Sequence, residues 1–374
     1  MRKQLIVLIS LMLLFTVTYA QIDSESSILE KAQTAEDNKD YEMALKWYKK
    51  ANAINPKTGT TYYDIAWCAN ELEKYDDAIK IAEAGSKIAP TSKLYVEYGY
   101  ALYMLDRYSE ATDKYKKALA LDAGSKSAIK GLADVYFSNK EYSNAETYYK
   151  KCLDLDKDPK VANYKLGYIM NENEKYQRAV EYELAAIKLD EDYAAAYNEL
   201  GYAYSSLNRK SDALDNYIKA ANLDPSNATY AANVADIYYG VKDLEDLDKA
   251  VTYYKKSLAV ENKSAKTNYR IGWILNEKEK YDEAKPYLYK AVEIDPKYAD
   301  AWIELGWIDF SKNNYSAAES DYLKAIQYNS KTELGRYYLG QVYIKQGRTS
   351  NAQKMLDELK SMDSKYADKL KDKM

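Results

Sequence analysis

The chain has 374 residues, of which 47% are hydrophobic and 30% charged, and its formal net charge is −4. A negative balance disfavours nucleic acid as a partner, since phosphate contacts require a positive surface. The sequence contains no His, which excludes Ser-His-Asp and Cys-His catalysis and histidine metal ligands. It also has no glycine-rich phosphate loop and no Cys-x-x-Cys pair, so we predict a protein that is not an enzyme and uses no cofactor.

The first twenty residues differ from the rest of the chain. Two basic residues at positions 2 and 3 precede an apolar run, Leu5–Phe15, and the stretch ends with the small residue Ala20. This pattern is typical of a secretory signal peptide, here residues 1–20. The alternative is an uncleaved membrane anchor, but the run is shorter than the about 20 residues that a span needs. We therefore expect export to the periplasm or the cell exterior, and a mature chain that starts at Gln21 and has no transmembrane segment.

One segment then recurs along the chain at a step of 33 or 34 residues, each copy with Ala at its fourth position. The copies are YEMALKWYKKANAINP (41–56), YDDAIKIAEAGSKIAP (75–90), YSEATDKYKKALALDA (108–123), YSNAETYYKKCLDLDK (142–157), YQRAVEYELAAIKLDE (176–191), KSDALDNYIKAANLDP (210–225), YDEAKPYLYKAVEIDP (281–296) and YSAAESDYLKAIQYNS (315–330). A fixed period of this length indicates a repeat architecture.

These segments resemble the tetratricopeptide repeat, whose 34-residue signature reads W-x2-L-G-x2-Y, then A-x3-F, then P. With positions numbered 1 to 34 in ten repeats, position 20 is always Ala and position 8 is always Ala or Gly. The closing Pro is present in only four repeats, and only Trp302–Gly306 carries the full opening. The resemblance implies an all-α fold, a right-handed superhelical solenoid of about ten helix-turn-helix units over residues 25–364. Each unit has a helix A and a helix B, which persist by burying a face against their neighbours.

Positions 8, 20 and 27 are small because the helix backbones come closest there, and Cys152 at position 27 fits as a small core residue. Cys68 lies at position 10 of repeat two, two repeats away, so we expect both thiols to be unpaired. Tyrosines at positions 17 and 24 fill the gaps between the small residues, which accounts for much of the excess of 42 Tyr over 3 Phe.

Repeat seven contains a three-residue insertion with the acidic run DLEDLD (243–248). It is the best metal candidate, but it lacks the glycine and the spacing of a calcium loop, so a solvated turn is favoured and no metal site is predicted. At the other end, residues 365–374 form an amphipathic pattern that places Tyr366, Leu370 and Met374 on one face. We predict a capping helix over the last repeat. Its mixed charges disfavour membrane binding.

Repeats two, five and eight share a longer motif, YDIAWCANELEKY (63–75), YKLGYIMNENEKY (164–176) and YRIGWILNEKEKY (269–281). The simpler interpretation is duplication of a three-repeat unit. The alternative is that equivalent binding patches recur for an extended or repetitive ligand.

By the same resemblance, helix A lines a concave groove with positions 2, 5, 9 and 12. Six of the ten residues at position 9 are large aromatics, the types enriched at binding hot spots. The predicted partner site consists of Tyr63, Trp67, Tyr100, Tyr103, Asp134, Phe137, Tyr164, Tyr168, Tyr202, Asp236, Tyr269, Trp273, Trp307 and Phe310. The carboxylate clamp of the family is not evident, because Lys130 is followed by Asp134 where Asn is expected.

The sequence therefore predicts a scaffold that binds a protein or peptide segment in this groove. One alternative is a carbohydrate-binding protein, for which Asn70, Asn171 and Asn276 would supply polar groups beside the aromatics. Another is an architectural subunit of an envelope assembly, which would require an apolar patch on the convex face.

Overall fold

The computed structural model describes residues 24–57 and 59–374, and the predicted signal peptide lies outside these residues. Every regular element in the described part of the chain is a helix, so the predicted all-α fold is confirmed. The α-helices are α1 Glu25–Asp37, α2 Tyr41–Ile54, α3 Gly59–Glu71, α4 Tyr75–Ile88, α5 Ser92–Met104, α6 Tyr108–Leu121, α7 Lys126–Ser138, α8 Tyr142–Asp154, α9 Pro159–Glu172, α10 Tyr176–Leu189, α11 Ala194–Ser206, α12 Lys210–Leu223, α13 Ala228–Gly240, α14 Leu247–Val260, α15 Ala265–Glu277, α16 Tyr281–Ile294, α17 Ala299–Ser311, α18 Tyr315–Tyr328, α19 Glu333–Lys345, α20 Thr349–Ser361 and α21 Tyr366–Lys371.

A tight left-handed turn connects helix A to helix B in most repeats. The residue at position 15 has a positive φ, for example 58° at Lys39 and 57° at Asp106. In repeat one the Lys39 N–H donates to the Glu36 carbonyl at 2.8 Å, and the Asp40 N–H donates to the Ala35 carbonyl at 2.9 Å. These bonds satisfy carbonyls that the end of helix A leaves free. The chain therefore reverses direction within three residues and starts helix B.

The small residue at position 8 is required because the ring at position 24 lies against it. A methyl group added to Gly201 would come within 2.8 Å of the Tyr217 ring, and one added to Gly306 within 2.7 Å of the Tyr322 ring. Position 20 is fully buried as well, as at Ala213. The core of each hairpin is thus a bulky ring packed against small residues on the facing helix.

The described chain divides into two compact units, one ending at Ile169 and the other starting at Met170, within α9. In the first unit the hairpins α1–α2, α3–α4, α5–α6 and α7–α8 follow one another, and each helix packs on the next. In the second unit the hairpins from α11–α12 to α19–α20 pack in the same manner.

Helix α21 covers the end of the last hairpin and packs on both α19 and α20. Leu370 is fully buried there, and a methyl group added to Gly340 would come within 2.5 Å of its side chain. The helix is shorter than the predicted range 365–374, and Met374, expected on the covering face, is 51% exposed.

Both cysteines belong to the first unit, where they are free and buried. Burial raises the pKa of the Cys68 thiol to about 12 and that of Cys152 to about 11. Neither thiol is therefore an activated nucleophile at neutral pH.

The insertion in repeat seven forms a turn and a helix cap. A 3-10 helix, Lys242–Leu244, precedes α14, and the Asp246 side chain accepts a hydrogen bond from the Lys249 N–H at 3.0 Å. Asp248 forms an ion pair with Lys278. Among the described residues no group of three or more acidic, Cys or His side chains is placed to hold a metal ion.

None of the helices in residues 24–57 and 59–374 has both the length and the apolar character that crossing a membrane would require.

Candidate functional site

Helix A of repeats two to nine carries the predicted site residues, and the structure groups most of those in the first unit into two clefts. A cleft of about 360 Å³ is lined by the predicted residues Trp67, Tyr100, Tyr103 and Asp134. A second cleft of about 240 Å³ is lined by the predicted residues Tyr103, Asp134, Phe137 and Tyr168. Because Tyr103 and Asp134 line both, the two clefts are adjacent.

Two predicted residues of the first unit, Tyr63 and Tyr164, do not line these clefts. The Tyr63 ring is half-buried with the Lys93 ammonium 5.7 Å from its centroid, and burial raises its pKa to about 12. The Tyr164 ring lies 5.4 Å from the Lys165 ammonium.

In the second unit the predicted residues are spread over several ring contacts. Asp236 lines a cleft of about 390 Å³ with Tyr239 and Arg270. The other predicted residues of this unit do not line that cleft: Tyr202, Tyr269, Trp273, Trp307 and Phe310. Ring contacts join Tyr269 to Tyr298 at 5.0 Å, and Trp307 to Phe310 at 6.0 Å and to Tyr338 at 5.1 Å between centroids.

The aromatic side chains at position 9 are held by a recurring contact with the preceding repeat. The ring at position 17 of one repeat meets the ring at position 9 of the next at a steep angle, in the pairs Tyr41–Trp67 (5.3 Å), Tyr75–Tyr100 (6.4 Å), Tyr142–Tyr168 (6.4 Å) and Tyr176–Tyr202 (6.2 Å). Such edge-to-face contacts favour one ring orientation. Tyr100 and Tyr202 nevertheless stay 38% and 45% exposed, so a surface of each ring remains open to a partner.

The acidic residues of the predicted site are already bonded within the protein. The Tyr149 hydroxyl donates to Asp134 at 2.8 Å, and the Lys130 ammonium donates to the same carboxylate at 2.7 Å. Burial and the Asp134 charge raise the pKa of Tyr149 well above its usual range.

Asp236 is held in the same way as Asp134. It accepts hydrogen bonds from the Tyr254 hydroxyl at 2.5 Å and from Lys266 at 3.2 Å, and it forms an ion pair with Arg270. Both aspartates therefore position neighbouring side chains and offer little free acceptor capacity to a ligand.

Asn70, Asn171 and Asn276, predicted to lie beside the groove aromatics, are instead buried between repeats and only 3% to 4% exposed. The Asn70 amide donates to the Glu97 carboxyl at 2.9 Å and to the Glu97 carbonyl at 3.1 Å. The Asn171 amide donates to the Glu199 carboxyl and carbonyl in the same manner, and the Asn276 amide donates to the Glu304 carboxyl. The expectation that they face a ligand is wrong, because position 12 of these repeats turns toward the next helix A. The carbohydrate alternative loses the feature that favoured it.

The glutamates that accept these amide hydrogen bonds have perturbed acidities. Burial raises the pKa of Glu97 and of Glu304 to about 7, and the amide bond offsets only part of this shift. The pKa of Glu199 is also raised by burial.

The sequence prediction did not include Lys165 and Arg270, cleft residues that lie over aromatic rings. Lys165 places its ammonium 3.9 Å from the centroid of the Phe137 ring, and the Arg270 guanidinium lies 4.7 Å from the Tyr239 ring. Both are at position 6 of their repeats, within the shared motif of repeats five and eight. A Lys and an Arg at the same place in that motif were the available signal.

Comparison with known proteins gives a consistent result. Models described as "Tetratricopeptide repeat" match residues 26–58, 131–159, 194–227, 275–320 and 335–363. Small glutamine-rich tetratricopeptide repeat-containing protein 2 of Mycosarcoma maydis is 35% identical over 96 residues, covering 25% of this chain and 27% of that protein. Heat shock protein STI1 of Saccharomyces cerevisiae is 37% identical over 100 residues, covering 26% of this chain and 17% of that protein. The matched stretches thus span about a quarter or less of these relatives.

Among solved structures, the chain is similar to the C-terminal part of a TPR repeat-containing protein from Cytophaga hutchinsonii. The TM-score is 0.50 at 21% identity, and the match covers 64% of this chain and 97% of that one. This likeness concerns the fold.

Proposed function

Because the chain belongs to the tetratricopeptide repeat family, we propose that it is a non-catalytic scaffold that binds a segment of a partner protein on the helix-A side of its repeats. The observation that carries the proposal is the pair of adjacent clefts in the first unit, which brings together six of the predicted site residues. An extended segment can lie along such a surface and place side chains between the rings. The aromatic residues provide apolar contact area at a small entropic cost.

Replacing Trp67 by Ala is expected to weaken partner binding by ~1 to 3 kcal/mol, because Trp67 lines the larger cleft and large aromatics dominate binding energies. Trp273→Ala and Trp307→Ala extend the test to the second unit. The partner is first captured by crosslinking in living cells and identified by mass spectrometry, and its affinity for each purified variant is then measured by calorimetry.

Trp47→Ala is the matched control. Trp47 lies on helix B of repeat one under the ammonium groups of Lys31 and Lys50, outside both clefts. It should bind the partner as the parent does, and circular dichroism should show unchanged helical content in every variant. If all three groove variants also bound as the parent does, the helix-A side would not be the functional surface.

An architectural role is the second candidate, and exposed apolar residues on the helix-B side favour it. The last turn of helix B repeatedly carries an apolar side chain that is about half exposed: Ile54, Ile88, Leu121, Leu189 and Val260. In the second unit a cleft of about 410 Å³ is lined by Pro225, Tyr253 and Val260. Loss of assembly after charged substitutions here, with the groove variants unaffected, would favour this candidate.

We also propose that the chain is exported and cleaved after Ala20, on the basis of the basic head and the apolar run Leu5–Phe15. Intact-mass analysis of protein recovered outside the cytoplasm should give a chain that starts at Gln21. Detection of residues 1–20 on the recovered protein would contradict the proposal.

A further inference from the structure

Within residues 24–57 and 59–374, two equivalent clusters of side chains occur, one in each unit. The first cluster consists of Asp134, Phe137, Tyr149, Lys165 and Tyr168. The second cluster consists of Asp236, Tyr239, Tyr254, Arg270 and Trp273. They occupy the same repeat positions, 9, 12 and 24 of one repeat followed by 6 and 9 of the next.

The internal geometry of the two clusters matches. In each, a buried tyrosine hydroxyl donates to the aspartate, and a cation lies over the ring at position 12, at 3.9 Å for Lys165 and 4.7 Å for Arg270. The ring at position 12 also meets the ring at position 9 of the next repeat, at 5.3 Å in the first cluster and 5.4 Å in the second.

The clusters differ in how the cation is neutralised. In the second cluster Asp236 forms ion pairs with both Arg270 and Lys266, and position 5 of that repeat is the uncharged Ala232. In the first cluster position 5 is Lys130, whose ammonium forms an ion pair with the Asp134 carboxylate at 2.7 Å. Lys165 has no carboxylate within ion-pair distance among the described residues. Its ammonium lies over the rings of Phe137 and Tyr164.

An ammonium group that is partly buried, lacks an ion-pair partner and lines a cleft can bind an anion. Burial lowers the pKa of Lys165, and the neighbouring Lys130 lowers it further, against the opposing effect of Asp134. Lys140 lines the same cleft, so two ammonium groups, those of Lys165 and Lys140, belong to its lining. A carboxylate that entered the cleft would supply the missing counter-charge. Its hydrogen bond with the Lys165 ammonium would be stronger there than in water, because the cleft is partly shielded from solvent.

We propose that Lys165 binds the side-chain carboxylate of an acidic residue in the partner segment, while the Phe137 and Tyr168 rings hold the apolar groups beside it. This inference rests on the proposed function and assigns a chemical preference to one part of the groove. The second cluster does not have this preference, because Arg270 is neutralised within the protein.

The test uses the full chain and two short peptides blocked at both ends, one rich in Leu and Glu and the other with every Glu replaced by Gln. Blocking removes terminal carboxylates, so binding reports side chains only. A third peptide, the Gln version with a free C-terminus, shows whether a terminal carboxylate can replace the glutamate side chains. Fluorescence anisotropy at neutral pH should give affinity for the Glu peptide about tenfold above that for either Gln peptide.

Lys165→Gln should remove this difference, and Lys165→Arg should retain it. Lys151→Gln is the matched control, since Lys151 also lies over a tyrosine ring, Tyr148 at 4.7 Å, but on helix B outside the clefts.

Several results would overturn the inference. They are equal affinity for the Glu and Gln peptides, preference for the free C-terminus, absence of Glu-peptide binding, or parent-like discrimination by Lys165→Gln. Each leaves the proposed function standing as long as Trp67→Ala weakens binding of the captured partner. Failure of the tryptophan variants would refute the proposed function separately.

Discussion

Replacing Ala213 by Phe is expected to lower the free energy of unfolding of the second unit by about 3 kcal/mol, the upper part of the range for overpacking a filled core. Ala213 is fully buried at position 20 of repeat six and belongs to a core cluster with Leu214, Tyr217 and Val234. Ala213 is enclosed by this cluster, so we expect a phenyl ring to push helix B away from helix A. Chemical denaturation followed by circular dichroism measures the loss.

The effect should be local along the sequence. Each repeat packs on its neighbours, so hydrogen exchange should show early loss of protection in α11 and α12 while repeats one and two keep theirs. Asp215→Phe is the matched control, because it places the same ring on the same helix at an exposed position. Uniform loss of protection in all repeats, or an equal effect of Asp215→Phe, would contradict the expectation.

The fold could be predicted because its main determinants are local and periodic. Small residues at positions 8 and 20 recur in all ten repeats, and their role follows from close helix packing, as the contact of Gly201 with the Tyr217 ring illustrates. The turn at position 15 was harder to recognise. At this position Lys39 and Asp106 adopt the left-handed backbone conformation that glycine usually adopts. The packing of the two helices on either side of the turn outweighs the backbone strain.

The candidate site could be predicted only in part. Periodicity identifies which face of helix A a residue occupies, and Trp67, Tyr100 and Tyr103, which it assigns to one face, line one cleft. It does not show which long side chain bonds which neighbour. Asn70 turned out to be a buried inter-repeat donor, and Lys165 an unpaired cation, because both outcomes depend on residues about thirty positions away along the chain.

Glu183 departs from the repeat pattern, and its burial makes stability depend on pH. It occupies position 24 of repeat five, where most repeats have Tyr, and it is fully buried. Neither of its carboxyl oxygens has a hydrogen-bond partner in the described part of the chain. Burial, together with the nearby Glu199, raises the pKa of Glu183 well above its usual range. The side chain is thus held in its neutral form.

The sign of the resulting pH dependence follows from proton counting. Below the ordinary glutamate pKa the folded and unfolded chains both hold the proton, so Glu183 adds no pH dependence. Above it, the unfolded chain releases the proton while the folded chain retains it. The free energy of unfolding therefore falls as pH rises, by about 1.4 kcal/mol for each unit between the two pKa values, until the folded pKa is reached.

Glu183→Gln removes this titration and keeps the shape of the side chain. We expect the variant to match the parent within about 1 kcal/mol near pH 4 and to exceed its unfolding free energy near pH 8, by a margin that grows by about 1.4 kcal/mol for each pH unit above the ordinary glutamate pKa. Glu97 and Glu304, whose pKa values are raised to about 7, should leave in both proteins a slope of the same sign that ends near pH 7. Urea denaturation at a series of pH values measures the difference.

Glu181→Gln provides the matched control, because Glu181 is exposed on the same helix and both replacements remove one carboxyl group from the unfolded chain. This variant should follow the parent at every pH. If Glu183→Gln followed the parent as well, Glu183 would have to release its proton in the folded state. A buried carboxylate without a hydrogen bond is too costly to persist, so α10 and α11 would then have to separate far enough to admit water at neutral pH.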